Sequence, residues 1–172
     1  GLEKELTVDF VAENQKVAGI ELLSETAPID RDNDKIITVG YKVTNQYGED
    51  ISGSESITVT AGKGTAVASS GVITITSTVD YVVGEKVPVS LVHVGSTSFA
   101  SAVLTVGAKA QASEVAITNL VNDNGKELVE GTSEDFYLAV EVKDQYGNVM
   151  KNAGYVSADL MVTVSNPTVA DV

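Results

Sequence analysis

The chain has 172 residues, a formal net charge of -13 from 24 acidic and 11 basic side chains, and no cysteine. A disulfide framework, a thiolate metal site and a cysteine nucleophile are thereby excluded. With no Lys/Arg cluster to release counterions, and no apolar run near the roughly 18 residues of a membrane span, nucleic acid and membrane are set aside as partners.

Strand signals are nearly continuous along the chain: short alternating runs of Val, Thr and Ile, separated by Gly, Asn, Asp and Ser. After an opening strand at Leu6-Thr7-Val8, the pattern predicts strands at 17–24, 35–45, 56–61, 65–68, 72–77, 86–93 and 98–107. Short strands at this density predict an all-β, antiparallel sandwich of immunoglobulin type, without the Cys pair and Trp of antibody domains. In 86–93, Val87, Val89, Leu91 and His93 share one face and Pro88, Ser90 and Val92 the other. Pro88 cannot donate to a ladder, so this strand is expected near an edge, or paired only beyond the proline.

The chain also resembles itself at an offset of about 98 residues. Leu6-Thr7-Val8, Ala12 and Val17-Ala18 recur as Leu104-Thr105-Val106, Ala110 and Val115-Ala116, and Val43-Thr44-Asn45-Gln46-Tyr47-Gly48 recurs as Val142-Lys143-Asp144-Gln145-Tyr146-Gly147. The phase divides the chain into the closing strand of one module (1–14), a complete module (15–112) and the opening part of another (113–172), as expected for a piece of a longer tandem array. Asn or Asp followed two positions later by Tyr-Gly predicts matching turns, with Gly48 and Gly147 at positive φ and the tyrosine plugging the end of its sandwich. The junctions at 12–16 and 110–114 are too short to be free linkers, so modules are expected to abut. The loop at 151–160 is longer than its counterpart.

Catalytic chemistry has little footing. His93 is the one histidine, at a strand end, and a triad would also need a nucleophile and an orienting acid beside it. Ser69-Ser70-Gly71 and Asn122-Asp123-Asn124-Gly125 are turn sequences. The acidic cluster with metal-like spacing is Asp30-Arg31-Asp32-Asn33-Asp34. Asp30, Asp32 and Asp34 stand at alternate positions as in a helix-loop-helix calcium loop, although Lys35 and Tyr41 occupy the places of its Gly and bidentate Glu. These three residues are the candidate metal ligands and calcium the candidate cofactor. The corresponding stretch Gly131-Thr132-Ser133-Glu134-Asp135 repeats none of the spacing.

The paired Gln-Tyr-Gly strings, and the Leu-Thr-Val strand running through a short junction into Val-Ala, resemble the bacterial immunoglobulin-like modules of surface-layer (S-layer) proteins from Gram-positive bacilli. The resemblance implies a structural, non-enzymatic, secreted protein at the bacterial cell surface and cell wall. Its modules run in series and its copies self-assemble into a two-dimensional lattice, with calcium fixing angles between modules. Its partners would be other copies of itself and neighbouring modules of the same polypeptide. The alternative is the stalk or display segment of a bacterial surface adhesin, told apart by whether copies associate laterally.

Overall fold

The computed structural model of the protein describes residues 14–122 and 136–163. The expected strand at Leu6-Thr7-Val8, the stretch 131–135 and, apart from Asn122, the expected Asn122-Asp123-Asn124-Gly125 turn lie outside the described residues.

From 17 to 107 the alternating runs become β1 (Val17–Leu22), β2 (Thr26–Pro28), β3 (Ile36–Asn45), β4 (Ile57–Ala61), β5 (Thr65–Ser69), β6 (Val72–Thr76), β7 (Lys86–His93) and β8 (Phe99–Gly107). One sheet has the order β1-β3-β6-β5 and the other β2-β8-β7-β4. Counting β1 and β2 as a single strand divided between sheets, this is the strand order of an immunoglobulin-type sandwich. Alternation dictates the core. Ile37, Val39, Tyr41 and Val43 of β3, with Ile73 and Ile75 of β6, face Val87, Val89 and Leu91 of β7 and Leu104 and Val106 of β8, all buried.

β2 is not foreseen by the sequence, which predicts an unbroken strand over 17–24. The chain instead changes sheets at Ser24, whose Oγ accepts from the Thr26 N–H and donates to the Thr26 carbonyl, each at 3.0 Å. Ala27 then pairs in parallel with Val106. Pro28 is tolerated because β2 is an edge strand that can spare a donor. Of the two expectations for Pro88, the edge position is not met, whereas pairing only beyond the proline holds toward β4, whose ladder with β7 begins at Val89. β7 is an interior strand, and Pro88 sits opposite Val103 within the β7–β8 ladder. A strand residue turns its N–H and C=O to the same neighbour, and the Pro88 carbonyl accepts from Gly62 N at 2.8 Å, just past the end of β4. The missing donor therefore falls where the partner strand has stopped. Gly62 is required there, since a Cβ would lie 2.5 Å from Pro88 Cγ.

Between β5 and β6, Ser70 (φ 47°) and Gly71 (φ 80°) make the expected turn, a two-residue hairpin loop with both residues left-handed. After β8 the chain forms β9 (Ala112–Val121) and β10 (Tyr137–Asp144), an antiparallel pair, and then a helix, α1 (Ala153–Asp159). The connection from β8 is thus 108–111, and part of the stretch expected as junction, 112–114, is already strand. α1 occupies the expected long loop; Asn152 caps it by accepting from Gly154 N and Tyr155 N.

Candidate functional site

The chemistry-bearing side chains converge where the sandwich meets the C-terminal segment. Their placement begins with the two predicted turns. Gly48 (φ 79°) and Gly147 (φ 80°) are left-handed as expected. Asn45 Oδ1 accepts from the N–H groups of Tyr47 and Glu49, both at 2.9 Å. Asp144 Oδ1 does the same with Tyr146 and Asn148, both at 2.9 Å. Bonding of this kind makes a short polar side chain at the strand end stand in for a turn's backbone partner.

The glutamine of each turn reaches back to the segment entering the preceding strand. Gln46 Oε1 accepts from Lys16 N at 2.7 Å and its Nε2 donates to the Asn14 carbonyl at 3.1 Å. Gln145 Oε1 accepts from Gln111 N at 2.8 Å and its Nε2 donates to the Lys109 carbonyl at 2.9 Å. These clamps set the alignment: Asn14 corresponds to Lys109 and Lys16 to Gln111, an offset three residues shorter than the Val-Ala strings suggest. The sheet register agrees, with Ile20 opposite Val43 and Val115 opposite Val142. The tyrosines depart from expectation. Instead of plugging its own end, Tyr146 lies against the end of β8, where a Cβ on Gly107 would come within 2.8 Å of the ring. Tyr47 is 48% exposed.

The loop 30–34 is the other half of the junction. Arg31 forks onto the Asp159 carboxylate at the end of α1, through Nη1 at 2.9 Å and through Nη2. Its Nε donates to the Ala110 carbonyl at 2.7 Å, and its guanidinium stands 5.2 Å from the centre of the Tyr155 ring. Asp159 also accepts from Ala112 N at 2.9 Å. Both ion-pair side chains are about four-fifths covered. Bidentate geometry and partial burial distinguish this pair from an ordinary surface salt bridge. Lys109 adds a bond to the Arg31 carbonyl at 2.8 Å, and Lys151 one to the Ser70 carbonyl at 2.7 Å.

The three carboxylates nominated for calcium lie in this contact. Asp30 Oδ1 caps its own loop by accepting from Asp32 N and Asn33 N. The Tyr155 hydroxyl donates to Asp32 at 2.8 Å and also lies 3.2 Å from Asp30 Oδ2. Asp34 pairs with Lys109 at 2.9 Å. The loop brings Asp30 and Asp32 together on one hydroxyl and turns Asp34 to a lysine. Among the described residues no group of three or more His, Cys, Asp or Glu side chains is placed to hold a metal ion. Electrostatics follow the contacts. The Arg31 hydrogen bond, then that of Ala112 N, holds Asp159 below the usual carboxylate range. Desolvation, then the bond to Asp32, pushes the Tyr155 hydroxyl up to about 12.

Sequence reasoning found the turns and the acidic loop and missed Arg31, Tyr155 and Asp159. The repetition of Gln within both turn strings was a usable signal for the clamp; nothing local marks Asp159 as the partner of a residue so far away in sequence.

His93 ends β7 as expected. Its Nε2 pairs with Glu55 at 3.2 Å and its Nδ1 bonds Ser96 Oγ at 2.9 Å. Ser96 Oγ also accepts from Ser98 N at 3.1 Å, and neither the cleft at the junction nor the smaller one beside 52–57 is lined by His93 or Ser96. The arrangement ties the β7–β8 turn to the segment entering β4.

No protein-family model matches the chain, and no curated protein matches it. Similar solved structures include the crystal structure of the S-layer protein rSbsC(31-844), with a TM-score of 0.45 and 21% identity. A second is the structure of surface layer protein SbsC, domains 1-6, with a TM-score of 0.43 and 21% identity. Each match covers 80% of this chain and 20% of the other. The likeness is one of fold alone, and the chain spans a fifth of either protein's length.

Proposed function

We propose that this chain is a structural, non-enzymatic segment of a secreted bacterial surface-layer protein. On this reading, 1–14 closes one module, 15–112 is a whole module and 113–172 opens the next. Copies associate side by side into a two-dimensional coat at the cell surface, and the partners are other copies and neighbouring modules. The observation that carries the reading is the junction. Four residues connect β8 to β9, and Gln145, Tyr146 and the Arg31–Asp159 pair hold the two sides together across it. A tether needs no such fixation, whereas a lattice subunit must repeat its angles from copy to copy. Calcium at Asp30, Asp32 and Asp34 is the alternative means of fixing the angle within this reading; bound there it would take the places of the Tyr155 hydroxyl and Lys109.

The test is sedimentation of the protein from micromolar to millimolar concentration. A lattice subunit associates as concentration rises; a sedimentation coefficient that stays monomeric throughout contradicts the lattice and leaves the stalk of an adhesin in its place.

A further inference from the structure

The outward face of the β2-β8-β7-β4 sheet sets Val92 opposite Phe99 and Pro88 opposite Val103. Phe99 is 72% and Val103 56% exposed. Ser90 and Ser101 face each other between these pairs, and β4 adds Thr58 and Thr60 alongside. Lys86, at one end, is the only charged side chain among the outward positions of β4, β7 and β8. The outward face of the other sheet differs, with Glu21 opposite Lys42.

Among the described residues no element packs over Phe99, Val92 or Val103, which are 72%, 44% and 56% exposed. They point away from the core of a sandwich that already has both its sheets. Leu138 and Val140 of β10 are also exposed, but their register counterparts Val39 and Tyr41 are buried under a second sheet, so a cover for them is part of the fold's own plan. Neither cleft is lined by Val92, Phe99, Pro88 or Val103. A sheet face that lines neither cleft and carries Lys86 as its one charged side chain is the wrong shape for a small ligand, which takes a concave site.

We propose that this face is the lateral contact between two copies of the chain; the inference rests on the lattice reading above. Copies of net charge -13 repel wherever their acidic loops meet. The strip of hydroxyl and apolar side chains is where approach is unopposed and where burial of Phe99 and its neighbours is favourable. Its size fits an array better than a free dimer. Three strands about 4.8 Å apart, each giving about 19 Å of length, present roughly 270 Å². A stable pair buries about 800 Å² on each partner. A single contact is therefore weak, and becomes firm only when several modules engage together.

The experiment measures self-association of the whole chain by sedimentation at low and high salt, beside Phe99→Glu, Val67→Glu and Leu138→Glu. All three positions are exposed, so each variant adds the same charge without entering the core. Association is expected to strengthen with salt as repulsion is screened, and to weaken by about tenfold or more in Phe99→Glu. Val67→Glu, on the other sheet, and Leu138→Glu should shift it far less. Association that survives Phe99→Glu, or that Leu138→Glu abolishes instead, overturns this face and leaves the lattice reading standing. A chain that never associates removes both.

Discussion

The turns at 45–49 and 144–148 share one geometry with their chemistry exchanged. In the first, Asn45 Nδ2 donates to the Glu49 carboxylate at 2.7 Å; in the second, Asn148 Nδ2 donates to Asp144 at 3.3 Å. The amide and the acid have traded places, yet both glycines, both glutamine clamps and the return bonds Ile51 N to Val43 O and Met150 N to Val142 O are retained. The surroundings differ far more than the turns do. β3 is buried at every second residue, whereas β10 is exposed over much of its length and, among the described residues, has no second sheet across it. Local bonding shapes the hairpin, and burial by a facing sheet is a separate contribution.

The largest difference should appear in the strips themselves. Val39→Ala is expected to cost about 1.5–3 kcal/mol in urea unfolding, while Leu138→Ala, its register counterpart, should stay within about 0.5 kcal/mol. Hydrogen exchange should be slow in β3 and β7 and fast in β10; equal protection in both would erase the distinction. The turns test the exchanged chemistry. Asn45→Asp sets two carboxylates face to face at a buried position and should cost about 1–3 kcal/mol. Asp144→Asn leaves Asn148 a neutral acceptor and should cost less, about 0.5–1.5 kcal/mol. Equal penalties would mean the pairs are not equivalent. A Cβ at Gly48 would meet no neighbour within 4 Å, so the expected loss of about 1–2 kcal/mol in Gly48→Val is chiefly backbone strain.

The smallest effect is confined to the junction and follows pH. Asp159 is depressed in the docked state, so its contribution is complete above the ordinary value of 3.8 and lost as acid protonates it. Tyr155 is raised, so its contribution is complete below 10.0 and lost as pH climbs toward about 12, where the hydroxyl stops donating and gains a charge facing Asp30 and Asp32. Docking followed by small-angle scattering should therefore be flat between about pH 4 and 10 and loosen on either side. A monotonic dependence across that range would show that other groups control the contact.

Most of the sandwich was legible because period-two alternation over five to ten residues reports a sheet face directly. β2 was not, being three residues long and carrying a proline. α1 has no apolar stripe and a glycine within it, so its capping by Asn152 and its contact with Arg31 settle it in place of any periodicity. The junction was misaligned by three residues because the recurring Val-Ala string is a strand composition, while the register is fixed by where Gln46 and Gln145 bond. The acidic loop was found by its spacing. Its contacts with Tyr155 and Lys109 depend on side chains that sequence separation hides.

If side-chain contacts around Arg31 hold the junction at one angle, removing the guanidinium should free it. The measurement is small-angle scattering of the protein and of Arg31→Ala, each with and without millimolar calcium. The unaltered chain should give a compact pair-distance distribution that calcium leaves unchanged, and Arg31→Ala a longer maximum dimension. A distribution indifferent to Arg31→Ala would contradict it, as would one that contracts with calcium and loses that response in the Asp32→Asn, Asp34→Asn double variant, which would give the angle to a bound cation.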